Sequence, residues 1–494
     1  MNRLRAFLAG AGDRVNPLLV REVQRTFKSR IFIFGFVLAL VAFLLAGVFA
    51  VEQKHVEADR PQGTQVFAIL FSLYNLAAWL AVPIYGFRWI FEEKRDDTYP
   101  ILSITTIGPW RLVTGRLSAG LAQLVMVLAA AAPFITYAYL LRGLDIVMIA
   151  AFLGSSTAIS VLLLLFGIFL SSLPSTRGAF AGLAVIFGLG LLFLVGTGFG
   201  WTTVWFAYGG GGRIDLAELG AVLVAVLPLY GVLAVSARAT LAPATTNYAL
   251  PIRLSVVATI AIWFLGGFAL VEANDLDDFS VLWSVASIGL LAFAGIGAIG
   301  EPEDLSRRIR VQLRGARSWG VRRLLVPTLI TGKGTGFAFI LISLGAVCAG
   351  HWLLLGVDRG HASAGEWLVP PILALYVAIY LGMSLVIVRR LLPARFRTPR
   401  TYRFLPFLLA GGLSIVSALP YLVLARRGSR GLLPSDYLSP LSLLAKFDYV
   451  RSTGSGLVAG VILLVAAAVA VSVNADLIGK GFRQVVRAKR GLGA

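Results

Sequence analysis

The sequence predicts an all-α polytopic membrane protein of about twelve transmembrane helices, with cytoplasmic N- and C-termini and an amphipathic interfacial helix before the first span. Three observations carry that expectation. Of 494 residues, 58% are hydrophobic and only 14% charged, whereas a soluble domain carries about 25% charged residues. Apolar runs long enough to cross a hydrocarbon core, about 17–25 residues, recur along the chain. Those runs contain no Asp, Glu, Lys or Arg, each of which would cost roughly 2.5–3.5 kcal/mol at a helix centre on insertion scales.

The first element is "NPLLVREVQRTFKSR", residues 16–30. Asn16 is a favoured N-cap and Pro17 suits the first helical position. Leu19, Val23 and Phe27 recur at every fourth residue, with Arg21, Arg25 and Lys28 on other faces. A basic amphipathic helix of this kind rests its apolar face among lipid head groups. Charge runs through to Arg30 and no short apolar core precedes a small-residue cleavage site, so the first span is expected to be a retained anchor.

The spans are expected at 31–51, 65–87, 117–140, 147–173, 180–200, 219–237, 254–271, 280–300, 336–356, 369–388, 405–425 and 456–475. They form two sets of six, so the expected domains are 1–30 (N-terminus with the interfacial helix), 31–253, 254–475 and a basic tail at 476–494. The second half has no counterpart to "NPLLVRE" or "EEKRDDT", which argues against an inverted-repeat transporter. Basic residues set the orientation. The side that holds both termini carries 34 of the 44 Lys and Arg but only 10 of the 24 Asp and Glu, and the positive-inside rule makes that side cytoplasmic. The expected location is a cell (inner) membrane, with the +20 charge facing an anionic lipid leaflet rather than nucleic acid. The loop 426–455 is the exception, with five basic residues on the outer side. Among connections, 201–218 is read as an outer loop and 301–335 as a basic segment with a surface helix.

Catalytic material is sparse. A phosphate-binding loop needs a Lys followed by Ser or Thr after its glycines, so that amides, ammonium and hydroxyl converge on the phosphates. Here Gly332-Lys333 and Gly479-Lys480 are each followed by Gly, and "GKGTG" reads as the small-residue start of a span. Among Asp, Glu and His, only His351 falls within a span, close to its end beside Trp352, and the reading is structural. Cys348 is the single cysteine and forms no intrachain disulfide. No cofactor or metal is expected in this chain. The outer "EANDLDDF" offers Asp275, Asp277 and Asp278 as oxygen ligands for a divalent ion, with a solvated loop as the plainer reading.

One stretch stands apart. "FEEKRDDTYPILSITTIGPWRLVTGR" joins the second and third spans and places Glu92, Glu93, Asp96 and Asp97 on an otherwise basic face. A solvated loop would explain the charges but leaves a long connection where short ones are the norm. Together with "NPLLVRE", this stretch resembles the permeases of type-2 ABC exporters. In that family an interfacial helix opening with Asn-Pro and carrying a Glu precedes the first span, matched by Asn16, Pro17 and Glu22 with the apolar face of Val23 and Phe27. A coupling helix of the form E-(E/R)-x-x-x-x-T-x-x-x-L is matched by Glu92, Glu93, Thr98 and Leu102, with Arg95 within it and Gly115-Arg116 opening the next span. The segment "SARATLAPATTNYALPIR" also looks like the family's linker after the sixth span.

The resemblance spans roughly residues 14–253. It implies a non-enzymatic permease subunit, coupled through about residues 89–107 to a separate ATPase that binds ATP and Mg²⁺. A second copy or a second permease chain and the lipid bilayer are the other implied partners. A polytopic enzyme acting on a lipid-linked substrate and a non-transporting membrane scaffold remain the alternatives.

Overall fold

The computed structural model describes residues 30–52, 62–95, 108–141, 144–173, 177–208, 216–242, 246–271, 276–314, 327–357, 364–423 and 455–490, with the isolated positions 24 and 440. Every regular element among them is helical. Nine of the described helices are long and apolar enough to cross a membrane, and a tenth if Gly460–Val473 and Ala475–Lys489, bent by 47°, count as one. Large apolar side chains face outward on them, with Phe193 71%, Leu282 71% and Leu353 73% exposed. Such a surface suits lipid rather than water. This is the pattern of a multi-pass membrane protein.

The chain divides into two compact units, Met1–Ala242 and Pro243–Ala494. Unit 1 contains α1 (Arg30–Glu52), α2 (Gln62–Leu76), α3 (Val82–Arg95), α4 (Pro109–Leu140), α5 (Ile146–Ser172), α6 (Arg177–Tyr208) and α7 (Leu216–Leu241). A π turn, Ala77–Ala81, joins α2 to α3, so both belong to one span. The local cause is Pro83, which lacks an N–H and whose ring would collide with the carbonyl four residues back. Widening the turn ahead of it avoids that collision.

Helix α5 is the centre of unit 1. Its Leu164 is fully buried and sits against Gly86 of α3, where an added Cβ would lie 2.6 Å from a Leu164 methyl. At Gly167 a Cβ would lie 2.7 Å from the Pro83 carbonyl. The two glycines therefore let the backbones of α3 and α5 approach closely, as small residues do between helices in lipid. Hydrogen bonds reinforce that seam. Ser160 Oγ donates to the Ala78 carbonyl at 2.6 Å, Trp79 Nε1 donates to the Ser156 carbonyl at 3.1 Å, and Tyr74 and Thr157 share a hydroxyl pair at 2.8 Å.

Unit 2 contains α8 (Ala249–Leu270), α9 (Leu276–Ile299), α10 (Arg307–Arg314), α11 (Lys333–Val357), α12 (Ala364–Val386), α13 (Pro399–Val423), α14 (Ser455–Val473) and α15 (Ala475–Arg490). A second π turn, Ile387–Leu391, ends α12. Helices α9, α11 and α12 pack together at its core. Asn474 marks the bend between α14 and α15, its Nδ2 donating to Gly382 O at 3.0 Å and Ala470 O at 2.7 Å.

Several elements differ from the sequence expectation. Helix α6 continues through Tyr208, into the stretch read as an outer loop. The segment 476–490, read as a tail, is helical. It packs against the segment around α10 through Leu305, Ile309, Leu313, Ile330, Val485 and Ala488. Both are amphipathic, and pairing their apolar faces buries what the sequence alone leaves unpartnered.

Candidate functional site

In unit 2, charged side chains collect where the end of α9, the start of α11, the π turn after α12, the start of α13 and the α14–α15 bend come together. Helix α9 stops just before Pro302, which disfavours helix for its predecessor. That leaves Glu301, Glu303 and Asp304 in a short connection. Glu301 points inward. Its Oε2 accepts from Arg253 Nη2 at 2.6 Å and from the Gly332 N–H at 2.6 Å, and both side chains are almost fully buried. Arg253 Nη1 donates to the Ile330 carbonyl at 2.9 Å and also to the Thr328 carbonyl. The pair thus ties the start of α8 to the strand of chain leading into α11. Burial pushes the Glu301 carboxyl above its ordinary range, against the pull of Arg253 and the Gly332 N–H. The neighbouring Tyr248 phenol is pushed up to about 12, by burial first and the Glu301 charge second.

The "TGKGTG" run is what lets these groups converge. A Cβ on Gly336 would lie 2.8 Å from Ala298 Cβ and 2.9 Å from Arg253 Nη2, so only glycine fits over the buried pair. Lys333 then opens α11 with its Nζ 3.7 Å from the centre of the Tyr402 ring and 3.6 Å from Glu303 Oε1.

Beyond this pair lies a cavity of about 250 Å³ lined by Glu303, Lys333, Arg389, Arg390, Arg397 and Tyr402. The π turn presents Arg389 and Arg390 to it. Arg389 makes a forked contact with Asp476, at 3.3 and 3.1 Å. Arg390 Nη2 donates to Val473 O at 3.1 Å and Arg397 Nε to Leu392 O at 3.1 Å. Lys480 approaches Glu303 at 3.7 Å and Asp304 at 3.3 Å.

In unit 1, Glu92, Glu93 and Arg95 fall on the last turns of α3, while Thr98 and Leu102 lie outside the described residues. Of the stretch expected as a coupling helix at 89–107, residues 89–95 continue α3 and 96–107 lie outside the described residues. Asn16, Pro17, Glu22, Val23 and Phe27 also lie outside the described residues. About two turns before Glu92 on α3, Tyr85 receives Arg116. The guanidinium lies 3.6 Å from the centre of the Tyr85 ring and donates to the Tyr85 hydroxyl at 2.7 Å and carbonyl at 2.8 Å. Arg116 is itself buried, so α4 clamps the helix that carries the acidic pair.

Asp277 and Asp278 sit in the first turn of α9 and Asp275 lies outside the described residues. Among the described residues no group of three or more His, Cys, Asp or Glu is placed to hold a metal ion. His351 is fully buried within α11, and Cys348 is a free thiol. Sequence reasoning did not single out Arg253, Glu301, Glu303, Arg389, Arg390 or Tyr402. A usable signal was present: Glu301, Glu303 and Asp304 are acids within a basic segment, the same contrast that marks Glu92 to Asp97. Comparisons of the chain with protein-family profiles, curated proteins and solved structures return no match.

Proposed function

We propose that this chain is the membrane-spanning permease subunit of an ATP-binding cassette exporter, inserted in a cell (inner) membrane with twelve spans and both termini cytoplasmic. Its energy comes from a separate ATPase subunit that holds ATP and Mg²⁺ and docks on the segment 89–107. The chain itself performs no catalysis in this reading. The observation that carries it is the mechanical continuity of α3. One helix runs from the glycine-tight contact with α5, through the Arg116 clamp on Tyr85, to the charged turn bearing Glu92 and Glu93. A force applied at that turn passes directly to α4 and α5, which is what coupling to an external motor requires.

The test exchanges Glu92→Lys together with Glu93→Lys. Membrane accumulation should match the parent chain, because the exchange lies beyond the apolar part of the helix. Losing interface charges of this kind costs about 2–5 kcal/mol when they are buried and paired, and slows association when they lie at a rim. Co-purification with the ATPase should fall, or hydrolysis should continue without transport. Unchanged binding and transport in this variant, with activity abolished by Asp275→Asn plus Asp277→Asn, would instead mark a membrane enzyme.

A further inference from the structure

The cavity in unit 2 has a charge balance that its own residues leave incomplete. Four of its six lining side chains are cationic and one, Glu303, is anionic. That single carboxylate is shared among Lys333 at 3.6 Å, Arg389 at 3.9 Å and Lys480 at 3.7 Å. All three separations exceed those of a strong charge-assisted hydrogen bond, about 2.7–2.9 Å. The acids nearby do not close the gap. Asp476 is engaged by Arg389, Asp304 is engaged by Lys480 and Gln484, and Glu301 is committed to Arg253. Lys333 is 9% exposed, so water screens its charge poorly. Arg390 and Arg397 each spend one N–H on a backbone carbonyl in the contacts above, and a guanidinium has five. A concave, partly buried site with several cations and spare planar donors matches the demands of a phosphate group.

We propose that this cavity binds a single phosphate group, held by Lys333, Arg389, Arg390 and Arg397. Glu303 keeps Lys333 and Arg389 in position, and the Tyr402 ring fixes the Lys333 ammonium. The phosphate is supplied either by an anionic lipid head group or by a soluble anion. The same chemistry serves both. The site stands independently of any ATPase docking on unit 1.

The test uses the full chain purified in detergent. Native mass spectrometry measures retention of phosphatidylglycerol against phosphatidylcholine, whose own choline neutralises its phosphate. In parallel, thermal unfolding is followed with inorganic phosphate against chloride at matched ionic strength. Arg390→Gln with Arg397→Gln removes two cavity charges from exposed positions. Arg307→Gln with Arg308→Gln removes two from α10, outside the cavity. At about 1 kcal/mol per basic residue near an anionic surface, the cavity variant should bind about tenfold or more weakly, and the α10 variant should bind as the parent does. Preferential retention of phosphatidylglycerol lost only in the cavity variant supports a lipid source. Stabilisation by phosphate alone, lost in the same variant, supports a soluble one. Equal losses in the two double variants, or no preference for either probe over its control, would overturn the site.

Discussion

Met1–Ala242 holds its helices together mostly with neutral groups, Ser160 on a carbonyl, Tyr74 on Thr157, Trp79 on a carbonyl and glycines that let α3 and α5 touch, and fastens a buried cation, Arg116, to Tyr85. Pro243–Ala494 adds full charges, with a buried Arg253–Glu301 pair and a second layer of ions around a cavity. Neutral bonds between membrane helices average about 0.6 kcal/mol each. Breaking one side of a buried ion pair costs about 3–5 kcal/mol. Beside that one larger clamp, the small contacts of unit 1 are spread along its spans, whereas unit 2 concentrates its ionic contacts at one end. Under the exporter reading proposed above, the first arrangement suits packing that shifts as the motor works. The second suits a fixed point.

Glu301→Ala is the most damaging exchange this comparison predicts. It leaves the Arg253 guanidinium buried without its carboxylate and the Gly332 N–H without its acceptor. A loss of about 3–5 kcal/mol is expected, read as a lower unfolding temperature of the purified chain. Glu301→Gln should restore part of it through the Gly332 contact. Arg253→Met combined with Glu301→Leu should recover the share due to the uncompensated charge, since removing both charges also removes their desolvation cost, while the bonds to the Gly332 N–H and to the Thr328 and Ile330 carbonyls stay lost. If Glu301→Ala is no worse than Ser160→Ala in unit 1, the contrast between the units fails.

Arg116→Met probes the buried guanidinium clamp of unit 1. Hydrogen bonds to a charged group are worth about 1.5–3 kcal/mol, so the loss should be smaller than at Glu301. Arg116→Lys keeps the charge but has no fork to reach the Tyr85 hydroxyl and carbonyl together. It should recover only part of the stability. Full recovery with Lys would mean that charge, not geometry, fixes α3 to α4.

The helices were legible because hydropathy is a local property: an apolar run without charges has one cheap conformation in lipid. The ends of elements were less so. Nothing within "WTTVWFAY" says whether α6 stops at residue 200 or continues to Tyr208, since both suit an interface. The ionic site was least legible, because its members are far apart in sequence. Arg253 belongs to a segment that reads as a linker, Glu301 to a loop 48 residues later, and Lys333 to a glycine run. Only packing turns a basic flank such as Arg389-Arg390 into the wall of a cavity. The glycines at 332, 334 and 336 were visible, but their purpose depends on Arg253 and α15 lying against them.

The smallest expected effect concerns Asp304, and it separates charge from packing at the end of unit 2. Its Oδ1 accepts from Gln484 Nε2 at 2.7 Å and lies 3.3 Å from Lys480 Nζ. Those contacts, the Gln484 bond first, hold its carboxyl below the usual carboxylate range. A depressed folded value means that the contribution is complete above the ordinary carboxylate value, about 3.9. It fades as pH falls through the lower folded value. The side chain is 68% exposed, and exposed pairs contribute about 0–1 kcal/mol. The apolar seam beside it is larger, because burying a Leu or Ile side chain is worth about 1.5–3 kcal/mol and Leu305, Ile309 and Leu313 all take part. Asp304→Asn should therefore raise hydrogen exchange in α15 only slightly at pH 6. The difference from the parent should shrink as pH is taken below the carboxylate range. Val485→Asp, placed in the seam, should release α15 at every pH. If Asp304→Asn alone frees the helix, then ions and not apolar burial fasten α15, and unit 2 is electrostatically held to its very end.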